Sequence, residues 1–193
     1  MSTGYGYFQR MYVEEDPWAF ATSAYEQHKY AVTIACLPRE RYRRVFEPGC
    51  SIGVLTEQLA DRADEVVVVD LHPRPLEQAR NRLRRHGNVQ IEQMVVPGEW
   101  PAGTFDLVVL SEVAYYMDDD DHRALVERVV SSLEPGGDLA LVHWRGETDY
   151  PQSGDQVHER WRADPRFEVV GSHAETRFLV DILRASGLPG ASR

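Results

Sequence analysis

Cysteine is scarce in this chain: Cys36 and Cys50 are the only two in 193 residues. Two thiols supply neither a disulfide framework nor a metal knuckle. No apolar run is long enough to cross a bilayer. Residues 1–9 lack the basic and apolar regions of a secretory leader. These absences predict a cytoplasmic protein with no membrane partner. An excess of positive charge is also missing. The formal net charge is −10, from 21 basic and 31 acidic residues, which argues against nucleic acid as a partner. Basic clusters at 39–44 and 80–85 do occur, and the second reads as the solvated face of an amphipathic helix. Finally, the Gly-x-Gly-x-x-Gly spacing that seats a dinucleotide pyrophosphate on a helix N-terminus is absent.

What remains is an ordinary globular composition, 42% apolar and 27% charged, sufficient for one domain with a sizeable core. The expected organisation is a single domain over 1–193, with a helical cap (1–40) and an α/β core (41–193). The aromatic-rich cap is expected to be helical after Asp16-Pro17, with Asp16 as N-cap and Pro17 in the first turn. Strands and helices then alternate. Strands are expected at 45–47, 66–70, 89–94, 105–110 and 139–144, with helices at 54–62, 75–85 and 121–133. Pro135-Gly136-Gly137 forms a turn into the fifth strand. A helix at 153–162 and two closely spaced strands at 167–175 and 178–184 complete the chain. Strands separated by helices imply right-handed crossovers and a parallel sheet. The fold class is α/β, a Rossmann-like seven-stranded, mostly parallel sheet with an antiparallel C-terminal hairpin.

One stretch carries most of the functional information. Residues 43–53 read Arg-Arg-Val-Phe-Glu-Pro-Gly-Cys-Ser-Ile-Gly. A short apolar strand ends in Glu47, a turn of small residues follows at Gly49, Ser51 and Gly53, and a helix begins. A second buried strand, Val66-Val67-Val68-Val69, ends in Asp70. This order brings backbone close to a ligand at the carboxyl edge of a parallel sheet and places an acid to hold a ribose. It points to a nucleoside-containing cofactor. S-adenosylmethionine, which has no phosphate, tolerates Ser51 in the middle of the turn. Glu47 suits its methionine ammonium, whereas a carboxylate beside a pyrophosphate would be repelled.

With these residues the chain resembles the class I S-adenosylmethionine-dependent methyltransferases over roughly residues 42–184. The resemblance rests on Glu47-x-Gly49-x-Ser51-x-Gly53, on Asp70, on Phe105-Asp106-Leu107-Val108-Val109 and on Leu133-x-Pro135-Gly136-Gly137. It implies S-adenosylmethionine as cofactor and S-adenosylhomocysteine as product. It places Glu47, Gly49, Cys50, Ser51, Gly53, Asp70, Leu71, Met94, Val95 and Ser111 around that cofactor. Val95 and its neighbours lack the acid that many members use to bind the adenine amino group. A narrower resemblance is to the rhizobial nodulation methyltransferases, carried by Asp16-Pro17-Trp18, Tyr25-Glu26-Gln27 and Ser111-Glu112-Val113-Ala114-Tyr115-Tyr116. Those enzymes methylate an amino group on a chitin-like oligosaccharide, so the likeness implies a saccharide acceptor. The chain departs from them at His143-Trp144-Arg145.

Methyl transfer is an in-line displacement, and a hydroxyl acceptor must also lose a proton. Catalytic groups should follow the fourth and fifth strands. His143 is therefore expected as the general base, with Glu112 orienting it or the acceptor, and O-methylation is preferred over N-methylation of an amine. Trp18, Tyr25, Tyr115, Tyr116 and Trp144 are expected to form aromatic walls for a sugar, with Arg145 and His158 as further substrate contacts. Tyr30 shares the cap helix with Tyr25. Glu112, His143 and His158 could instead hold a divalent metal, although their spacing does not support one. Asp118 to Asp121 reads as a helix cap. A homodimer could close an otherwise open acceptor site. Two rival readings are a non-catalytic nucleoside-binding module and a nicotinamide oxidoreductase.

Overall fold

The computed structural model describes residues 2–186. Its centre is a run of strands whose side chains are apolar on both faces, because helices cover both. In β2 (Ala63–Asp70), Val66 to Val69 are all buried. β1 (Tyr42–Pro48) lies between β2 and β4 (Phe105–Ser111), parallel to both. β3 (Val89–Gln93) extends the sheet beyond β2, and β5 (Leu133–Trp144) pairs parallel with β4. β7 (Phe178–Ala185) inserts antiparallel between β5 and β6 (Phe167–Ala174). The strand order is β3-β2-β1-β4-β5-β7-β6. The chain winds outward from β1 in one direction and then from β4 in the other. The carboxyl ends of β1 and β4 therefore flank a crevice at the switch point.

One core lies between the sheet and α2 (Ala24–Cys36), α3 (Val54–Ala60) and α4 (Pro73–Leu83). The other lies under α5 (Asp119–Ser132) and α6 (Gly154–Arg162). Asp118 caps α5, accepting the N–H groups of Asp120 and Asp121 at 3.1 and 3.0 Å. Residues 134–137 bulge out between two points of β4–β5 pairing, Phe105 with Leu133 and Leu107 with Asp138. Gly136, at φ 74°, allows this. Among the described residues no helix is long and apolar enough to cross a membrane.

The cap differs from its sequence expectation. Asp16 does not begin a helix. Its carboxylate accepts the N–H groups of Phe20 and Ala21 at 2.8 and 2.9 Å, closing a turn in which Ala19 has φ 54°. That left-handed residue stops helix propagation from Pro17. The main helix, α2, starts at Ala24 with Ser23 as its cap. An additional short helix, α1 (Tyr5–Met11), precedes the turn.

Candidate active site

The turn after β1 uses three left-handed residues in alternation: Gly49 at φ 75°, Ser51 at 48° and Gly53 at 78°. The N–H groups of Gly49 and Cys50 both donate to Val69 O, at 2.7 and 3.1 Å, binding the turn to the end of β2. A Cβ on Gly49 would lie 2.4 Å from Val113 Cγ2, so only glycine lets the chain beyond β4 pack against this turn. A Cβ on Gly53 would lie 3.0 Å from Leu83 Cδ1 and 3.3 Å from Ala79 Cβ of α4, so close helix packing adds to the demand of its left-handed backbone.

Two buried carboxylates flank the turn. Asp70 accepts Ser51 N–H on one oxygen (3.0 Å) and His72 N–H on the other (2.9 Å). Desolvation still pushes its pKa up to about 6. Glu47 accepts the Thr56 hydroxyl at 2.6 Å and is pushed by burial to about 7. Among the described residues no cation offsets the burial of either group. Carboxylates left in this condition suit a ligand bearing hydroxyl groups or positive charge. S-adenosylmethionine carries both.

These groups open into a cavity of about 650 Å³ that reaches from α1 to Trp144 and Arg177. Glu47, Gly49, Cys50, Ser51, Asp70, Leu71, Met94, Val95 and Ser111 line it. So do Glu112, Trp18, Tyr25, Tyr30, Tyr115, Tyr116 and Trp144. α1 covers the cofactor side. Tyr12 donates its hydroxyl to Ser51 Oγ at 2.9 Å, and Tyr5 stacks on His72 with centroids 5.1 Å apart.

His143, His158 and Arg145 lie outside this cavity. Leu139, Leu141 and His143 alternate along β5 onto the face covered by α5 and α6, where His143 is fully buried. Asp181 can only accept, so His158 Nδ1–H donates to it (2.6 Å) and His158 Nε2 accepts from His143 Nδ1–H (3.2 Å). His143 Nε2 then accepts Ala114 N–H at 3.3 Å. Both nitrogens of His143 are engaged. Burial, reinforced by His158, pushes its pKa well below the usual histidine value. The Tyr115 ring, 5.2 Å away edge-on, stands against it. The expectation of a general base at His143 does not fit this geometry, and His158, bonded to Asp181 and His143, does not line the cavity. Arg145 instead pairs with Asp155 at 3.0 Å and borders a separate polar hollow between Gly146 and Gln156.

Glu112 does not orient His143. Its Oε1 accepts from Lys29 Nζ at 2.7 Å, while its Oε2 accepts Trp144 N–H at 3.1 Å and the Tyr115 hydroxyl. Glu112 itself sits at φ 57°, a left-handed conformation that these three bonds hold in place. Because it faces Lys29, it does not converge with His143 and His158 on a metal. Among the described residues no group of three or more His, Cys, Asp or Glu side chains is placed to hold one.

Sequence reasoning missed Lys29. It is the only lysine among 21 basic residues, and its side chain is 2% exposed. That solitary lysine, three residues after Glu26, was the available signal. Tyr12, Tyr150 and Arg177 also line the cavity. No local pattern marks them, because distant elements bring them there.

The family model of NodS, nodulation protein S, matches residues 6–150, from the cap through β5. The chain belongs to the NodS family. Nodulation protein S of Bradyrhizobium diazoefficiens is 30% identical over 155 residues, 79% of this chain and 70% of that protein. That of Sinorhizobium fredii is 30% identical over 139 residues, 71% of this chain and 64% of that one. The crystal structure of the N-methyltransferase NodS from Bradyrhizobium japonicum WM9, in complex with S-adenosyl-L-homocysteine, superimposes with a TM-score of 0.85. It shares 23% identity and covers 94% of this chain and 97% of that one, a likeness of fold. This NodS-family protein is an S-adenosylmethionine-dependent methyltransferase. The nicotinamide and non-catalytic readings are set aside.

Proposed function

We propose that this protein transfers the methyl group of S-adenosylmethionine to an amino group on a saccharide acceptor. The observation that carries this reading is that, among the described residues, no imidazole lines the cavity and its carboxylates are already engaged within the chain, Glu26 in an ion pair with Lys29. Among the described residues, Glu112 is occupied on both oxygens, Glu47 and Asp70 are bonded at the turn, and His143 is sealed behind Tyr115. A hydroxyl nucleophile needs a base in the transition state, whereas a neutral amine already presents its lone pair. The preference for a hydroxyl acceptor, which depended on His143, is therefore reversed. The Bradyrhizobium japonicum structure is that of an N-methyltransferase, in accord with this choice.

The cofactor supplies an electrophilic methyl group on a sulfonium. Asp70 would accept the ribose hydroxyls, and the Gly49 to Ser51 backbone would underlie the methionine portion, with Glu47 toward its ammonium. Leu71, Met94 and Val95 would border adenine. Tyr25, Trp18, Tyr115, Tyr116 and Trp144 offer faces for the C–H surfaces of a sugar. Two unpaired thiols accord with action in the cytoplasm.

The test is to incubate the protein with S-adenosylmethionine and three acceptors: a chitin oligomer with one free amine, its fully N-acetylated counterpart and a methyl glucoside. Fragmentation mass spectrometry locates the new methyl group. Methylation of nitrogen in the first acceptor alone is expected, at a rate that rises with pH as the acceptor amine deprotonates. Methylation of oxygen in the other two would overturn the reading.

A further inference from the structure

One turn of α2 carries two opposite charges to the cavity wall. Glu26 and Lys29 are both buried there, with side chains 9% and 2% exposed. Lys29 Nζ makes its shortest contact with Glu112 Oε1, at 2.7 Å. It makes a longer hydrogen bond, 3.2 Å, to Glu26 Oε1. Glu26 Oε2 lies 3.0 Å from the ammonium as an ion-pair contact, without a well-aligned hydrogen bond. Glu26, which lines the cavity, thus has a buried carboxylate oxygen with acceptor capacity to spare, which a ligand donor can meet. Two neighbouring carboxylates of the wall are more fully engaged: Glu112 serves three donors, and Asp70 serves one on each oxygen.

We propose that Glu26 receives the acceptor amine, docking one N–H on Oε2, with Lys29 and Glu112 as the positioning pair that fixes this carboxylate at the wall. The assignment rests on the amine reading above. An N–H donated to Oε2 leaves the nitrogen lone pair free to face the sulfonium. The N–C bond forms as the C–S bond breaks, and its electron pair stays on sulfur. The nitrogen becomes a methylated ammonium, and its developing positive charge meets the Glu26 carboxylate. The aromatic rings of Tyr25 and Tyr30 lie 5.3 and 5.9 Å from Lys29 Nζ, so the ammonium is enclosed by faces that favour a cation. Lys29 thereby stays charged and in place without drawing Glu26 Oε2 into a directed bond. Glu26 acts as a specificity-determining residue for acceptors bearing an amine.

Glu26→Gln tests this, because Lys29 keeps Glu112 as its partner and the side-chain volume is unchanged. S-adenosylhomocysteine binding, measured by calorimetry, should stay within twofold of the parent. The dissociation constant of the free-amine chitin oligomer for the S-adenosylhomocysteine complex, and its KM, should rise about 10- to 100-fold, the loss expected for a charged hydrogen bond. Glu26→Asp, which keeps the charge but retracts it, should recover part of the loss, and a thermal melt reports that each variant is folded. If Glu26→Gln does not fold, Glu26→Asp is compared with the parent alone and must still raise KM. Weakened cofactor binding with unchanged KM would assign Glu26 to the cofactor and overturn the proposal, as would an unchanged acceptor constant. Failure of the unsubstituted protein to methylate any amine would instead sink the amine reading itself.

Discussion

Lys29 Nζ lies 2.7 Å from Glu112 Oε1, joining residues 83 positions apart. This contact ties the cap helix α2 to the carboxyl end of β4, and its two groups belong to the wall of the cavity. This side of the cavity is organised around it, because Glu112 also holds Tyr115 and the backbone of Trp144.

Removing Lys29 leaves the buried Glu26 and the part-buried Glu112 without their cation. Lys29→Met should therefore cost about 3–5 kcal/mol in urea denaturation at pH 8, the penalty for breaking one side of a buried ion pair. The loss should be smaller at pH 5, where the orphaned carboxylates can take up protons. A cost below about 1 kcal/mol at pH 8 would show that the pair does not hold the cap against the sheet.

Glu47 makes a prediction of opposite sign. Its pKa rises from 4.5 to about 7 in the folded protein because burial disfavours the charge. Between those values the folded state holds a proton that the unfolded state has released. Stability of the ligand-free protein should then fall as pH rises through this window. Glu47→Gln removes the effect and can still accept the Thr56 hydroxyl. It should match the parent at pH 4 and exceed it by up to about 3 kcal/mol at pH 8, while binding S-adenosylhomocysteine more weakly. Chemical denaturation at the two pH values, with calorimetry of the ligand, checks both parts. A variant less stable than the parent at pH 8 would contradict the burial argument.

His143 sits in a closed relay through His158 to Asp181. His143→Ala removes a buried ring and leaves His158 Nε2 and Ala114 N–H without partners. It should lower stability by about 2–4 kcal/mol. At a temperature where the variant remains folded, kcat should stay within a few fold of the parent and the acid limb of the pH profile should not move. A hundredfold fall in kcat with a displaced acid limb would restore His143 as the base.

The catalytic half of the fold was legible because its signals are local. Gly49, Ser51 and Gly53 alternate where the backbone must turn left-handed, Val66 to Val69 form a strand buried on both faces, and Asp70 closes it. Each follows from the stereochemistry of a few neighbouring residues. The cap was read less well. Asp16-Pro17 opens a helix as readily as a turn in local terms, and the choice falls to contacts such as Gln78 Nε2 to Glu15 O and Arg74 to Tyr12 O, made by α4.

Amino-acid order alone thus determined the strand–turn–helix unit, the strand succession and the acid that ends β2, because hydrophobic periodicity and backbone sterics act over a few residues. Which layer covers a given strand face was left to the assembled molecule. Period-two alternation puts Leu139, Leu141 and His143 on one side of β5, but only the packing of α6 shows that this side is closed to the cavity. Only tertiary structure could decide that Lys29 meets Glu112, since that pairing depends on where α2 settles on the sheet and on burial strong enough to force two distant charges together.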